Sequence, residues 1–386
     1  MKRAFSLAAV LLLLALLLTG CDYTLVRMVN LQDRAIVQGV GVDWDGNEFE
    51  VTMQVFSPEG AGGQTMVDPS KENAQMITCR GASIAEAVES SARNQGKEFY
   101  LGHNRIVILG WEAVQQPLGG LLSYFVNSLD SRPDVTILFT KGKAKDVLSV
   151  GITQSILPAM SIENTIRNAE RNGLGEEVLL IDVLEALAEP YRDAVIPMIE
   201  TAGEEEAELG AVEITGVGII SPEGYVGEVA AGEMRGLLTL RDTIRGAVYT
   251  LHTADCERAA VQLYQNKTKL SPVLRDGQPA FVAEIAGKWT LVEKKMRGDA
   301  VFTEESLAEL EEALAEQIRE ECESAFYKTV RVYQSDVFLL GDLLWQKQAD
   351  YWSLMREVWP QGAEEISIEC EVSAEIDRTG LQIVKE

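Results

Sequence analysis

Only two histidines, His103 and His252, occur among the 386 residues, and they sit in unrelated contexts. The five cysteines are too scattered for a zinc knuckle or a CxxC redox pair. There is no nucleophile elbow, no Walker loop and no HExxH string. Gly39 and Gly41 lack the third glycine and the helix start of a dinucleotide fingerprint, and the Asp43–Asn47 string lacks the remaining ligand positions of a calcium loop. Basic residues are scarce as well: 34 Lys and Arg stand against 60 Asp and Glu, a formal charge of −26. Such a surface repels nucleic acid and anionic headgroups, so neither is expected as a partner through a broad electrostatic patch.

An apolar run of ordinary membrane-spanning length is also missing, since that takes roughly 20 residues. Residues 7–18 are entirely Leu, Ala and Val, preceded by Lys2 and Arg3 and followed by Thr19-Gly20-Cys21. Positive, apolar, then small is the order of a secretory signal peptide. The single cysteine after small residues is the further mark of a lipobox, in which Cys21 is diacylated and becomes the new N-terminus. The expected anchor is therefore covalent, a diacylglycerol and an N-acyl chain on Cys21, with no other cofactor. Two acyl chains hold a protein where one holds it only marginally. Cleavage removes Lys2 and Arg3 and takes the charge to −28, 32 basic against 60 acidic residues, so no polybasic segment assists the lipid.

The remaining chain is globular in composition, 46% hydrophobic and 24% charged, and long enough for two or three domains. Residues 35–42 read as a buried strand, and a turn at 43–47 leads to alternating Phe49, Val51, Met53 and Val55, which makes a hairpin. Residues 57–75 read as a loop and 76–79 as a short strand. Ser83 and Glu86 form a capping box for a helix. A polar elbow carrying His103 precedes an apolar strand, then comes a helix with Leu118, Leu121, Leu122, Phe125 and Leu129 on one face, then a strand through Val135, Ile137 and Phe139. Residues 151–200 read as helical. A second hairpin surrounds 221–224, and its strands could belong to the first sheet or to another.

Strand-like runs follow within 238–251 and 279–294. Thr303 then caps a long helix with the stripe Leu307, Leu310, Leu314, Ile318, Cys322 and Phe326. A second long helix is expected to carry Trp345, Trp352 and Trp359 on nearly one side, because seven-residue spacing drifts only about 20° per step. These tryptophans either pack on a sheet or form a partner-facing ridge. His103 reads as a hydrogen-bonded structural residue, with a partner-facing position as its functional alternative. Cys79, Cys256, Cys322 and Cys370 read as buried thiols rather than two disulfides. A final strand alternates from Ile366 to Ile376. The expected fold is multidomain, α/β and α+β: mixed sheets with helices packed on them, ending in a largely antiparallel sheet with two long helices. The expected divisions are a cleaved signal peptide (1–20), a lipidated tether (21–30), an N-terminal α/β domain (31–150), a middle region of helices and a hairpin (151–235), and a C-terminal α+β domain (236–386).

Several segments, in order behind the lipobox, resemble the Ger(x)C family, the lipoprotein C subunits of nutrient germinant receptors in spore-forming bacteria. Ala35-Ile36-Val37 with Gly39-Val40-Gly41-Val42-Asp43 is similar to the family's opening. Residues 100–110, including Gly102-His103, 141–148 and 336–341 followed by Trp345 match later segments. Asp22-Tyr23-Thr24-Leu25, Asn104 and Leu339-Leu340 depart from the common pattern. The resemblance implies a three-domain, non-catalytic protein on the outer face of the cytoplasmic membrane, which is the spore inner membrane. Its implied partners are an integral-membrane A subunit and a transporter-like B subunit, and the complex answers to small nutrients. A free-standing solute-binding lipoprotein of a transporter is the alternative; that class usually has two similar doubly wound lobes.

Overall fold

In the computed structural model the described residues are 33–57, 73–93, 96–128, 131–150, 157–202, 212–275, 278–363 and 366–378. Cys21, the expected signal peptide and tether, and Leu129 lie outside them.

The first half of the chain builds one sheet. Strands β1 (Arg34–Trp44) and β2 (Phe49–Phe56) form the expected hairpin, with Val42 opposite Val51 and Trp44 opposite Phe49. Asp45 Oδ1 closes the turn by accepting the N–H groups of Asn47 and Glu48 at 3.0 and 2.9 Å. Strand β3 (Ala74–Gly81) and helix α1 (Ile84–Ser90) follow, with Ser83 Oγ accepting the Glu86 N–H at 3.1 Å as the cap pattern requires. Then come β4 (Glu98–Tyr100), β5 (Ile106–Leu109), α2 (Trp111–Val114), α3 (Leu118–Asn127), β6 (Thr136–Phe139), α4 (Ala144–Leu148), α5 (Pro158–Arg171), α6 (Leu180–Leu187), β7 (Ala194–Thr201), β8 (Val212–Ser221) and β9 (Gly224–Ala230).

The strand order is β3-β2-β1-β5-β6-β7-β8-β9, with β4 beside β1. The central pairs β1·β5, β5·β6 and β6·β7 are parallel, and both flanks are antiparallel. Parallel strands need cover on both faces. Alternate residues of β5 accordingly feed two cores: Val107 and Leu109 pack with α1, α3 and α6, while Ile106 and Ile108 pack with α4 and α5. The sheet runs past residue 150, and the hairpin β8–β9 joins it.

One expectation is corrected here. Residues 194–201 form β7, although 151–200 read as helical. Positions 194–199 are all buried, which erases the period-two alternation that would announce a strand.

The second half builds a four-stranded sheet. Its elements are α7 (Met234–Leu240), β10 (Val248–Leu251), β11 (Cys256–Arg275), β12 (Gln278–Met296), α8 (Glu304–Phe326), α9 (Leu340–Lys347), α10 (Ala349–Met355) and β13 (Ser367–Arg378). The order is β10-β11-β12-β13, antiparallel except for the last pair. Residues 234–240 are helical, so the strand expected within 238–251 is confined to β10. Helix α8 matches its sequence pattern. Thr303 Oγ1 accepts the Ser306 N–H at 3.2 Å, a cap worth about 1 kcal/mol, and Leu310, Leu314, Ile318, Cys322 and Phe326 are buried.

Two of the segments that carry the family resemblance meet in the first sheet. Asp43, at the end of β1, is buried, and its carboxylate accepts the N–H groups of Ala144 (2.8 Å) and Lys145 (3.2 Å) at the start of α4. Burial raises its pKa and these two hydrogen bonds oppose the rise. The aspartate of the Gly39-Val40-Gly41-Val42-Asp43 string is thus a structural cap.

Candidate functional site

The segment 336–341, Asp-Val-Phe-Leu-Leu-Gly, lies where the two halves of the molecule meet. Helix α8 ends in a wider turn, Tyr327–Val332, and the chain then reverses through Gln334, whose φ is 52°. This delivers Asp336 into the interior, 1% exposed. Leu339 takes a left-handed conformation (φ 58°, ψ 37°) and turns the chain into α9.

The Asp336 carboxylate is an acceptor for three buried donors. Oδ1 takes the Leu340 N–H at 2.7 Å, and Oδ2 takes the Gly341 N–H at 2.7 Å and the Trp359 indole N–H at 2.9 Å. One side chain therefore satisfies the start of α9 and holds Trp359, which follows α10. Burial pushes its pKa up to about 6, against the lowering effect of the backbone N–H groups and the indole. Gly341 fits because it has no side chain: a Cβ there would meet the Trp352 ring at 2.9 Å and Tyr191 at 3.1 Å.

The first half reaches this cluster through residues just before β7. Asp193 Oδ2 accepts the Asp336 N–H at 3.1 Å, and the Asp193 N–H donates to the Asp336 carbonyl at 3.3 Å. Burial raises the Asp193 pKa. Arg192 pairs with Asp342 at 2.7 Å, and the Tyr191 hydroxyl sits 3.2 Å from the same carboxylate. Arg241 donates to the Val337 carbonyl at 2.6 Å and pairs with Glu176 at 3.3 Å. Tyr191, Arg192, Asp193 and Arg241 had no signal in the sequence; only contacts between residues far apart in the chain reveal them.

The three tryptophans do not share a helix face. The expected second long helix is two short ones, broken at Gln348 (φ −138°, ψ 52°), and Trp359 lies beyond the second. The break resets the angular phase on which seven-residue spacing depends. Trp352 (6% exposed) and Trp359 (4%) are buried, 5.8 Å apart edge to face, with Tyr191 5.0 Å from Trp352. Trp345 is 61% exposed on α9. It borders a groove of about 470 Å³ with Leu339, Leu343, Leu270, Arg192 and Arg241. Leu354 and Val358, also exposed, belong to the same α9–α10 region.

His103 is exposed at the elbow before β5, with its ring 5.9 Å from that of Tyr100. It belongs to the first sheet, apart from the tryptophans. Among the described residues no group of three or more His, Cys, Asp or Glu side chains is arranged to hold a metal ion. No helix among them is long and apolar enough to cross a membrane.

What the arrangement can do follows from these contacts. It is a rigid polar knot that ties two sheets together and presents an apolar surface next to it. Comparison with known proteins gives that surface a context. Residues 27–201 match the family model described as the spore germination protein N-terminal domain. Residues 215–380 match the model described as spore germination B3/GerAC like, C-terminal. The chain belongs to the Ger(x)C family of spore germination proteins. As a Ger(x)C protein, it has a role in spore germination. It is similar along nearly its whole length to spore germination protein B3 of Bacillus subtilis (strain 168), 23% identical over 98% of this chain and 99% of that one. Its fold resembles the crystal structure of the GerBC protein, with a TM-score of 0.58 over 91% of this chain and 100% of that chain at 18% identity.

Proposed function

We propose that this Ger(x)C protein is a non-enzymatic, lipid-anchored subunit of a nutrient germinant receptor. In this reading Cys21 carries the acyl chains, the body sits on the outer face of the cytoplasmic membrane of the spore, and its partners are the integral-membrane A and B subunits. The observation that carries the reading is the pair of family matches covering both halves of the chain in order, behind a lipobox sequence. The partner-facing surface is the exposed side of α9 and α10. Trp is enriched at binding hot spots, and an exposed Trp345 beside Leu339 is a ready anchor next to a groove. The solute-binding alternative gains nothing from the fold, since one sheet of the first half spans residues 34–230 rather than forming two similar lobes.

Metabolic labelling with palmitate, followed by affinity purification of a tagged copy from detergent-solubilised spore membranes, tests this directly. The expected result is label that disappears with Cys21→Ala, and two integral-membrane proteins recovered with the wild-type chain. An unlabelled protein in the soluble fraction would contradict the reading.

A further inference from the structure

Cys322 and Cys370 lie in different elements but occupy one spot in the second core. Helix α8 runs alongside β13, and two hydrogen bonds fix their register. Glu311 Oε1 accepts the Ile376 N–H at 2.8 Å, and Arg319 Nε donates to the Cys370 carbonyl at 3.3 Å. Moving along α8 from Glu311 to Arg319 therefore moves back along β13 from Ile376 to Cys370. Cys322 is three residues beyond Arg319, on the same face of the helix. This turns its thiol towards Cys370 across the helix–strand interface, and both residues belong to one buried core cluster. Both are buried, at 0% and 4% exposure.

The other two thiols are engaged elsewhere. Cys256 Sγ faces the carbonyls of Arg258 (3.3 Å) and Lys295 (3.5 Å), and Cys79 lies in the first sheet beside Ser91. Geometry thus selects one pairing among the four cysteines of the body.

We propose that Cys322 and Cys370 are a disulfide-forming pair that joins α8 to β13. To bond, the two facing sulfurs must close to about 2.05 Å. Helix α8 cannot supply that movement, because α7 is pressed against it: a Cβ on Gly236 would lie 2.0 Å from the Glu321 carbonyl oxygen. β13 can, because it is the edge strand, paired with β12 on one side only.

The oxidant is an external disulfide, either a small one or that of a thiol–disulfide oxidoreductase. One cysteine thiolate attacks it, forms a mixed disulfide and displaces a thiolate. The second cysteine thiolate attacks the mixed disulfide and displaces the other. Two thiols lose two protons and two electrons, one S–S bond forms, and the external disulfide becomes two thiols. The neighbouring Cys370 and, after it, burial raise the Cys322 thiol well above its ordinary pKa, so the docked pair reacts slowly. The bond forms as the exported chain folds, before α8 and β13 close over the sulfurs. The segment it brackets, 323–369, contains the Asp336 cluster and Trp345. Oxidation in cells rests on the extracytoplasmic location given under Proposed function; the pairing itself does not.

The test is differential alkylation of the full chain, acid-trapped from sporulating cells and denatured. A first reagent marks free thiols, and a second marks those released by reduction. Cys79 and Cys256 should carry the first label, Cys322 and Cys370 the second, and the unreduced digest should contain the Cys322 peptide linked to the Cys370 peptide. Cys322→Ser should move Cys370 to the first label, while Cys256→Ser should leave the pair intact. The same measurement is made on purified chain refolded in a buffer of reduced and oxidised glutathione. Cys79, Cys256, Cys322 and Cys370 all carrying the first label in both samples, or any other pairing among them, would overturn the proposal. The linked pair in the refolded sample with four free thiols in cells would overturn oxidation in cells and point against the extracytoplasmic location, leaving the geometry intact.

Discussion

Asp336→Asn separates the charge of the buried carboxylate from its shape. The wild-type carboxyl titrates at about 6 when folded and near its ordinary 3.8 when unfolded, because burial outweighs three hydrogen bonds from Leu340, Gly341 and Trp359. A raised folded-state pKa means that the folded chain holds the proton more tightly. The stabilisation is therefore complete below about 3.8 and is lost as pH rises through 6. A shift of this size corresponds to about 3 kcal/mol over the full range, at about 1.4 kcal/mol per unit. Of this, about 1 to 2 kcal/mol is recovered between pH 7.5 and pH 5. Asparagine does not titrate, and its amide NH₂ must face one of the donors, a pH-independent cost of about 1–3 kcal/mol. Urea unfolding of residues 22–386 for both proteins at several pH values gives the difference curve, in which most other titrating groups cancel. The expected curve favours the wild type at every pH, and increasingly so towards pH 5. A flat curve, or one rising towards pH 7.5, would refute the placement of an ionisable group in that cluster.

Five further substitutions follow from the structure. Trp352→Ala and Trp359→Ala should each cost about 3–5 kcal/mol, whereas exposed Trp345→Ala should stay within about 0.5 kcal/mol; urea unfolding reads all three. In spores with normal protein levels, Trp345→Ala should nevertheless slow nutrient-triggered germination, and an unchanged rate would remove α9 from the partner-facing surface. Gly341→Ala forces a Cβ against Trp352 and Tyr191 and should destabilise by about 1–3 kcal/mol, measured in the same way. Asp43→Ala leaves the Ala144 and Lys145 N–H groups without their acceptor and should cost about 1–3 kcal/mol, with faster amide exchange localised to 144–148.

Features set by neighbouring residues were legible in the sequence. The Thr303 cap and the stripe of α8, the Ser83 cap of α1 and the β1–β2 turn each depend on positions within a few residues of one another. β11 was not. Its register shifts near Arg258, Val261 and Gln265 break the alternation, and its surface is rich in charge. β7 was hidden by burial on both faces, and the tryptophan helix by a break at Gln348 with no proline or glycine to announce it. At the candidate site, Asp336 and Gly341 stood out within the family-like segment. Asp193, the partner of Asp336, lies 143 positions away, and a contact at that range has no local pattern.

The most direct measurement of the central claim is germination of spores in which the gene is deleted, alongside spores carrying Cys21→Ala, in a strain without other nutrient receptors. Each is challenged with nutrients and with a trigger that bypasses nutrient receptors. A receptor subunit that depends on its lipid anchor predicts loss of the nutrient response in the deletion and a marked reduction in Cys21→Ala, with the bypass response intact in both. A nutrient response that persists after deletion, or a bypass response lost together with it, would contradict the assignment.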